Sequence, residues 1–270
     1  MNLSAMERLF QRWLMAQKPS HHPKAPGAYH APKSDKPEYI QGETGLAGFG
    51  SRSFYVAQIP RVEANAVIKQ HHYSRRIVAN SYVHLGVFID GVQVGVLQFG
   101  YALNPVAGAT KIIEGTQVDQ YLELNRMWLD DSAPRNSESR ALSYAFKFIK
   151  RACPRVAWVQ SFADERCGGW GIVYQAANFL YFGHHRKGFY ELDGETYHEM
   201  LLTARPGGGG RAKYLRDNLE RAVRKSLLQF RYIYLIRKNW LARAKVPPLP
   251  YPKPGQPLPS RRRKKGVFLA

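Results

Sequence analysis

The chain has 270 residues, 44% hydrophobic and 13% aromatic, enough for one substantial core with appendages and too many for a wholly disordered protein. Lys and Arg number 40 against 20 Asp and Glu, a formal net charge of +20 that favours a polyanionic partner, with nucleic acid first among them. Two cysteines, Cys153 and Cys167, exclude a disulfide framework and a four-thiolate metal site; no apolar run approaches the ~20 residues of a bilayer span, so no membrane partner and a reducing cytoplasm are expected.

In chain order, residues 1–53 predict an amphipathic, charged helix followed by a Pro- and Gly-punctuated arm that holds no core. Residues 54–204 predict the folded domain. SYVHLGVFIDGVQVGVLQFGYAL reads as two strands turning at Asp90-Gly91, and YLELNRMWL as a third. SESRALSYAFKFIKRA has helical spacing, with Leu142, Ala145, Phe146 and Ile149 on one face, Ser137 placed to cap the start and Pro154 to end it. RVAWVQSFA predicts a central strand, GIVYQAANFLYFG a helix closing on Gly183, and GFYEL with TYHEMLLTA a hairpin at Asp193-Gly194. Strands alternating with helices imply parallel pairing in the middle and antiparallel strands at the edges, an α/β fold with a mixed, twisted sheet and helices on both faces. Residues 205–246 predict a basic helical extension, and 247–270 a disordered basic tail that includes Arg261, Arg262 and Arg263; from residue 205 onward 18 basic residues face two acidic ones.

Two stretches combine polar groups as a site would. In YLELNRMWLDDSAPRNSESRALSYAF a helix start follows a strand, where bare amides and the helix dipole favour a phosphate flanked by Arg135 and Arg140; an ordinary capped helix reads the same way. In SFADERCGGWGIVYQ, Asp164 and Glu165 follow a strand end, where open α/β sheets bind ligands, and Tyr174 is placed to protonate a leaving group or to serve as a core tyrosine. His71, His72 and Tyr73 offer a metal ligand, a general base or a plain surface pair. His184-His185 suits phosphate as well as metal, and His198 suits a structural role. In the C-terminal stretch Arg211, Lys213, Arg216, Arg224 and Lys225 lie among aromatic residues, an arrangement that suits nucleic-acid binding and equally suits a solvated face.

Strand, amide-rich helix start, strand, then a helix bearing a tyrosine resembles the GNAT acetyltransferase superfamily. That resemblance implies an acetyl-CoA site on Arg135, Asn136, Ser137, Ser139 and Arg140, in place of the usual glycine-rich turn, and Tyr174 as the acid that protonates the departing thiolate. The blocks KQHHYSRRIVANSYVHLGVF, GVLQFGYALNP, YLELNRMWLDDSAPRNSESRA, VQSFADERCGG and VYQAANFLYFG resemble the phage Mom proteins over residues 69–240. The resemblance implies an enzyme that places a methylcarbamoyl group on adenine N6 in double-stranded phage DNA, against host restriction, in the cytoplasm of the infected bacterium. It implies Fe2+ held by His72 with Glu123, Asp164 or Glu165 completing the set, activity from Tyr73, Arg126 as organiser, and Ser139 as a coenzyme contact. A buried adenine must be flipped out, with Tyr73, Tyr101 and Trp128 as stacking candidates and Asp164 or Glu165 to accept or orient the amine proton. A protein N-acetyltransferase and a non-catalytic DNA-binding protein remain the alternatives.

Overall fold

The structure, a computed structural model, describes residues 48–51, 53–165, 169–202 and 210–260. The expected N-terminal helix, most of the arm, Cys167 and Arg261, Arg262 and Arg263 lie outside the described residues. The chain divides into two compact units, one ending at Gln160 and including Tyr234–Lys245, the other made of Ser161–Ile233 and the residues from Val246.

In the first unit the strands β1 (Gly48–Ser51), β2 (Phe54–Gln58), β3 (Ser81–Ile89), β4 (Val92–Gly100), β5 (Tyr121–Leu129) and the start of β6 (Trp158–Asp164) lie side by side in that order. Pairing is antiparallel up to β5 and parallel between β5 and β6. The β3–β4 turn falls where expected, with Asp90 at φ 48° and Gly91 at φ 82° joining Ile89 to Val92, the twist that lets two strands pair tightly. Helices cover both faces. α1 (Arg61–His71) sets Ala64 and Ile68 against Val96, while α3 (Ser137–Ala152) turns Phe146 toward Phe99; Val96 and Phe99 point to opposite sides of β4. α2 (Pro105–Ile112) is capped by Asn104, whose side chain accepts from the Ala107 amide. α3 spans the predicted residues and buries Leu142, Phe148 and Ile149 completely, each contributing about 1.5–3 kcal/mol by removing apolar surface from water.

In the second unit β7 (Leu180–Leu192), β8 (Glu195–His198) and β9 (Val223–Leu235) follow the spatial order β9-β7-β8, all antiparallel. The β7–β8 turn has Asp193 at φ 50° and Gly194 at φ 73°, again as the dipeptide predicts. α5 (Gly210–Asp217) closes this end, its Leu215 packed with Leu192 and Tyr197.

Several expectations are corrected. The arm contains a strand, β1, whose Phe49 is buried, because its apolar side chain packs beneath Tyr144. α3 is capped by Asn136 in a left-handed conformation, φ 71°, and Ser137 is its buried first residue. The helix predicted through Gly183 is the short α4 (Ile172–Ala176), after which the chain enters β7. The basic extension is not helical throughout: Val223–Leu235 is strand, since QFRYIYL is β-branched and aromatic and both of its faces are covered. Residues 247–260 are ordered, not a free tail, with the Leu249 amide donating to the Tyr181 carbonyl and Tyr251 Oη to the Phe179 carbonyl. No helix among the described residues is long and apolar enough to cross a membrane.

Candidate active site

In a regular strand Glu123 and Arg126 would face opposite ways, because side chains alternate. The β4–β5 register shows otherwise: Gly100 opposes Glu123, Phe99 opposes Leu124 and Gln98 opposes Arg126, so Asn125 is an extra residue. This bulge returns Arg126 to the face of Glu123. It is held by its own polar contacts, with Ser81 Oγ donating to Asn125 Oδ1 at 2.9 Å and Asn125 Nδ2 to the Tyr101 carbonyl at 3.1 Å. Gly100 is required there, since a Cβ would stand 2.0 Å from the Asn80 carbonyl.

Arg126 is thereby fixed: its Nε donates to the Arg76 carbonyl at 3.0 Å and its Nη1 to the Asn125 carbonyl at 2.7 Å. Burial lowers its pKa, while the charges of Tyr73 and Glu123 raise it. His72, which ends α1, is buried and held down to about 4 by burial and then by the Arg126 charge, so its imidazole is neutral near pH 7. Its Nδ1 accepts from the Ser74 amide at 3.1 Å, which leaves the ring proton on Nε2 as a donor. The Tyr73 ring lies 4.3 Å from that of His72 and is 66% exposed. The first unit therefore brings together His72, Tyr73, Glu123 and Arg126, four residues that the sequence offers from three separate stretches.

This set does not fit iron. A ligating Nε2 would need the proton on Nδ1, where the Ser74 amide already donates, and the neighbouring guanidinium opposes a cation. Glu123 Oε2 accepts from Gln160 Nε2 at 2.7 Å, and no group of three His, Cys, Asp or Glu able to hold a metal occurs among the described residues. Tyr101 and Trp128 are also corrected as stacking residues. Tyr101 is 7% exposed and packs on Tyr82, and Trp128 carries His71 on its ring at 4.4 Å.

The start of α3 suits a phosphate. No side chain caps it, so its first amides keep their donors available, and Arg135 beside it is exposed. Ser139 Oγ donates to the Asn136 carbonyl at 3.0 Å, which tightens the turn, while the Arg140 guanidinium lies 4.4 Å over the Phe54 ring.

In the second unit Asp164 is buried at the end of β6 and Glu165 is exposed. Tyr174 sits in α4, its ring 5.2 Å from Phe179 and 5.4 Å from Tyr232. The basic residues expected to meet nucleic acid are already paired locally. Arg211 bridges to Glu195 and Lys213 to Asp217, Arg224 Nη2 lies 2.9 Å from Glu199, Lys225 Nζ lies 2.5 Å from Glu191, and Arg216 Nη1 donates to the Leu201 carbonyl at 3.4 Å. Gln160 and Asn125 were not singled out from sequence. Their signals were a polar residue inside an apolar strand run and two adjacent polar residues, Asn125-Arg126, that break alternation.

The model of the Mom protein family matches residues 53–253. A methylcarbamoylase, mom, of Escherichia phage Mu is 52% identical over 221 residues, covering 81% of this chain and 91% of that protein. Similar solved structures include a ribosomal-protein-S5-alanine acetyltransferase from Vibrio fischeri, with TM-score 0.43 and 10% identity over 72% of this chain and 98% of that one. An apo ribosomal L7/L12 alpha-N-protein acetyltransferase gives TM-score 0.38 and 12% identity over 69% of this chain and 96% of that one.

Proposed function

The chain belongs to the Mom protein family, and we propose that it is a phage DNA-modification enzyme that places a methylcarbamoyl group on adenine N6 in double-stranded DNA, within the infected host cell. The observation that carries this reading is the 52% identity to a methylcarbamoylase over 91% of that protein's length. The bulge-centred cluster of His72, Tyr73, Glu123 and Arg126 supports it from within the molecule, because a buried, neutral imidazole beside a fixed cation suits positioning of a polar substrate.

An adenine in a duplex does not present its amine to a buried group, so the base must leave the stack, at a cost of roughly a few kcal/mol. Tyr73, an exposed ring backed by His72, gives the extruded base a surface to stack on. His72 Nε2–H and Arg126 donate toward the base and its flanking phosphate. Asp164 accepts the proton that the amine loses, and Tyr174 returns one to the leaving group. The uncapped start of α3, with Arg135, holds the pyrophosphate of acetyl-CoA. When bound, that thioester supplies an activated carbonyl; the nitrogen of the added carbamoyl group comes from a further donor. No step is assigned to iron.

The test is nucleoside mass spectrometry of DNA from cells expressing the wild type and Tyr174→Phe. The ring packing of Tyr174 survives this change and its hydroxyl does not. Wild-type DNA should carry the adenine adduct, and the variant should lose it by roughly 10²–10⁴-fold. DNA without an adduct in wild-type cells would overturn the function; full activity in the variant would overturn only the role of Tyr174.

A further inference from the structure

One buried amide of the first unit is only half satisfied. Gln160 is 2% exposed, and its Nε2 donates to Glu123 Oε2 at 2.7 Å, whereas its Oε1 has no hydrogen-bond partner among the described residues. The amide's orientation follows from its neighbour. An ionised carboxylate has acceptors alone, so Glu123 draws the NH2 end of Gln160 toward itself and turns the carbonyl away. A bare acceptor in a protein interior is costly, and its retention calls for a reason such as a ligand that completes it.

Its place in the fold indicates which ligand. The β5–β6 ladder covers only Tyr121↔Trp158, Leu122↔Val159 and Glu123↔Gln160, so this pair stands at the end of the ladder, where the backbone of β5 runs on without a β6 partner. Glu123 shares its face of β5 with Arg126 through the Asn125 bulge, and the charges of Glu123 and Arg126 act on one another. The bare acceptor therefore lies beside the cluster already described.

We propose that Gln160 Oε1 accepts a hydrogen bond from the exocyclic amine of the flipped adenine, and that the Glu123–Gln160 pair distinguishes a 6-amino from a 6-keto purine. This rests on the reading of the chain as a DNA adenine methylcarbamoylase. An amine offers N–H to the waiting carbonyl, whereas a keto oxygen sets acceptor against acceptor. N6 has two hydrogens, so one can stay on Gln160 while the other is lost as the new bond forms. Glu123 is a positioning residue, acting through the amide that it orients.

The experiment uses the full chain and a duplex containing an adenine that the wild type modifies. That adenine is kept, or replaced by hypoxanthine or by purine without a 6-substituent, each opposite an abasic position so that no pairing is broken. Affinities are read by fluorescence anisotropy at one salt concentration. Wild type should prefer adenine over both analogues by roughly ten- to a hundredfold. Gln160→Met, close in volume, should bring all three within about threefold. Glu123→Gln releases the lock, because a neutral amide at 123 donates as well as accepts, and rejection of hypoxanthine should weaken or invert. If Gln160→Met does not fold, Glu123→Gln, which keeps the heavy-atom shape, carries the test. Undiminished preference for adenine in either folded variant overturns the proposal, while a wild type that modifies no adenine overturns the functional reading beneath it.

Discussion

His84 shows how much a single buried side chain couples this fold to pH. It lies on β3 at 7% exposure, with its Nδ1 3.2 Å from Gln98 Nε2, and it is held down to about 4 by burial and by the nearby charge of Arg61. In the unfolded chain the same ring titrates near 6.5. Above pH 6.5 neither state binds the proton, and the stabilisation from a neutral His84 is complete. As the pH falls from 6.5 toward 4, the unfolded chain takes up a proton that the folded chain refuses, and stability drops by up to about 1.4 kcal/mol per pH unit for this group. His72, also held down to about 4, adds to the slope. Urea midpoints of wild type and His84→Gln at pH 7, 6 and 5 check this. The variant should be less stable at pH 7 yet decline less steeply, and parallel declines would remove His84 from the account.

At the scale of the element, α4 is too short to stand on helix propensity, with five residues and a start set by backbone geometry. Gly171 enters it at φ 72°, and a Cβ there would stand 2.4 Å from Tyr232 Cε2. Gly171→Ala therefore meets both a left-handed backbone and a ring that is itself held, since Tyr232 Oη bonds to the Trp170 carbonyl and accepts from Gln175 at 3.1 Å. The expected cost is roughly 1–3 kcal/mol, seen as a lower urea midpoint. An unchanged midpoint would mean that α4 re-forms without this entry. Such elements were hard to read from the sequence, whereas the two hairpins and α3 were plain, because Asp-Gly turns and a 3.6-residue period are local signals. β9 was not plain: Phe230, Arg231, Tyr232 and Ile233 are all buried, so the strand lacks alternation, and its charges suggested a solvated helix. The site behaved similarly. His72, Tyr73, Glu123 and Arg126 could be named one by one, but their meeting depends on the Asn125 bulge, which moves Arg126 to a different face.

At the scale of the whole molecule the question is where the net charge of +20 acts. In the second unit it is partly neutralised in place, with Arg211, Lys213, Arg221, Arg224 and Lys225 each facing a carboxylate. Exposed pairs of this kind are worth ~0–1 kcal/mol and can be shared with a phosphate, yet each acid dilutes the attraction for DNA. The run Arg261, Arg262, Arg263, Lys264 and Lys265 has no acidic residue within it or after it in the sequence. Each phosphate contact that releases a counterion adds about 0.9 to the slope of log affinity against log salt, so removing residues 261–270 should flatten that slope by up to about 4.5. Cutting after Lys245 should flatten it similarly and also lower the melting temperature, because it removes the contacts of Leu249 with Tyr181 and of Tyr251 with Phe179. The two truncations thus separate charge from structure. If the shorter cut left the salt slope unchanged, phosphate attraction would have to come from the folded units, and the paired residues of β7, β8 and β9 would be the surface to neutralise next.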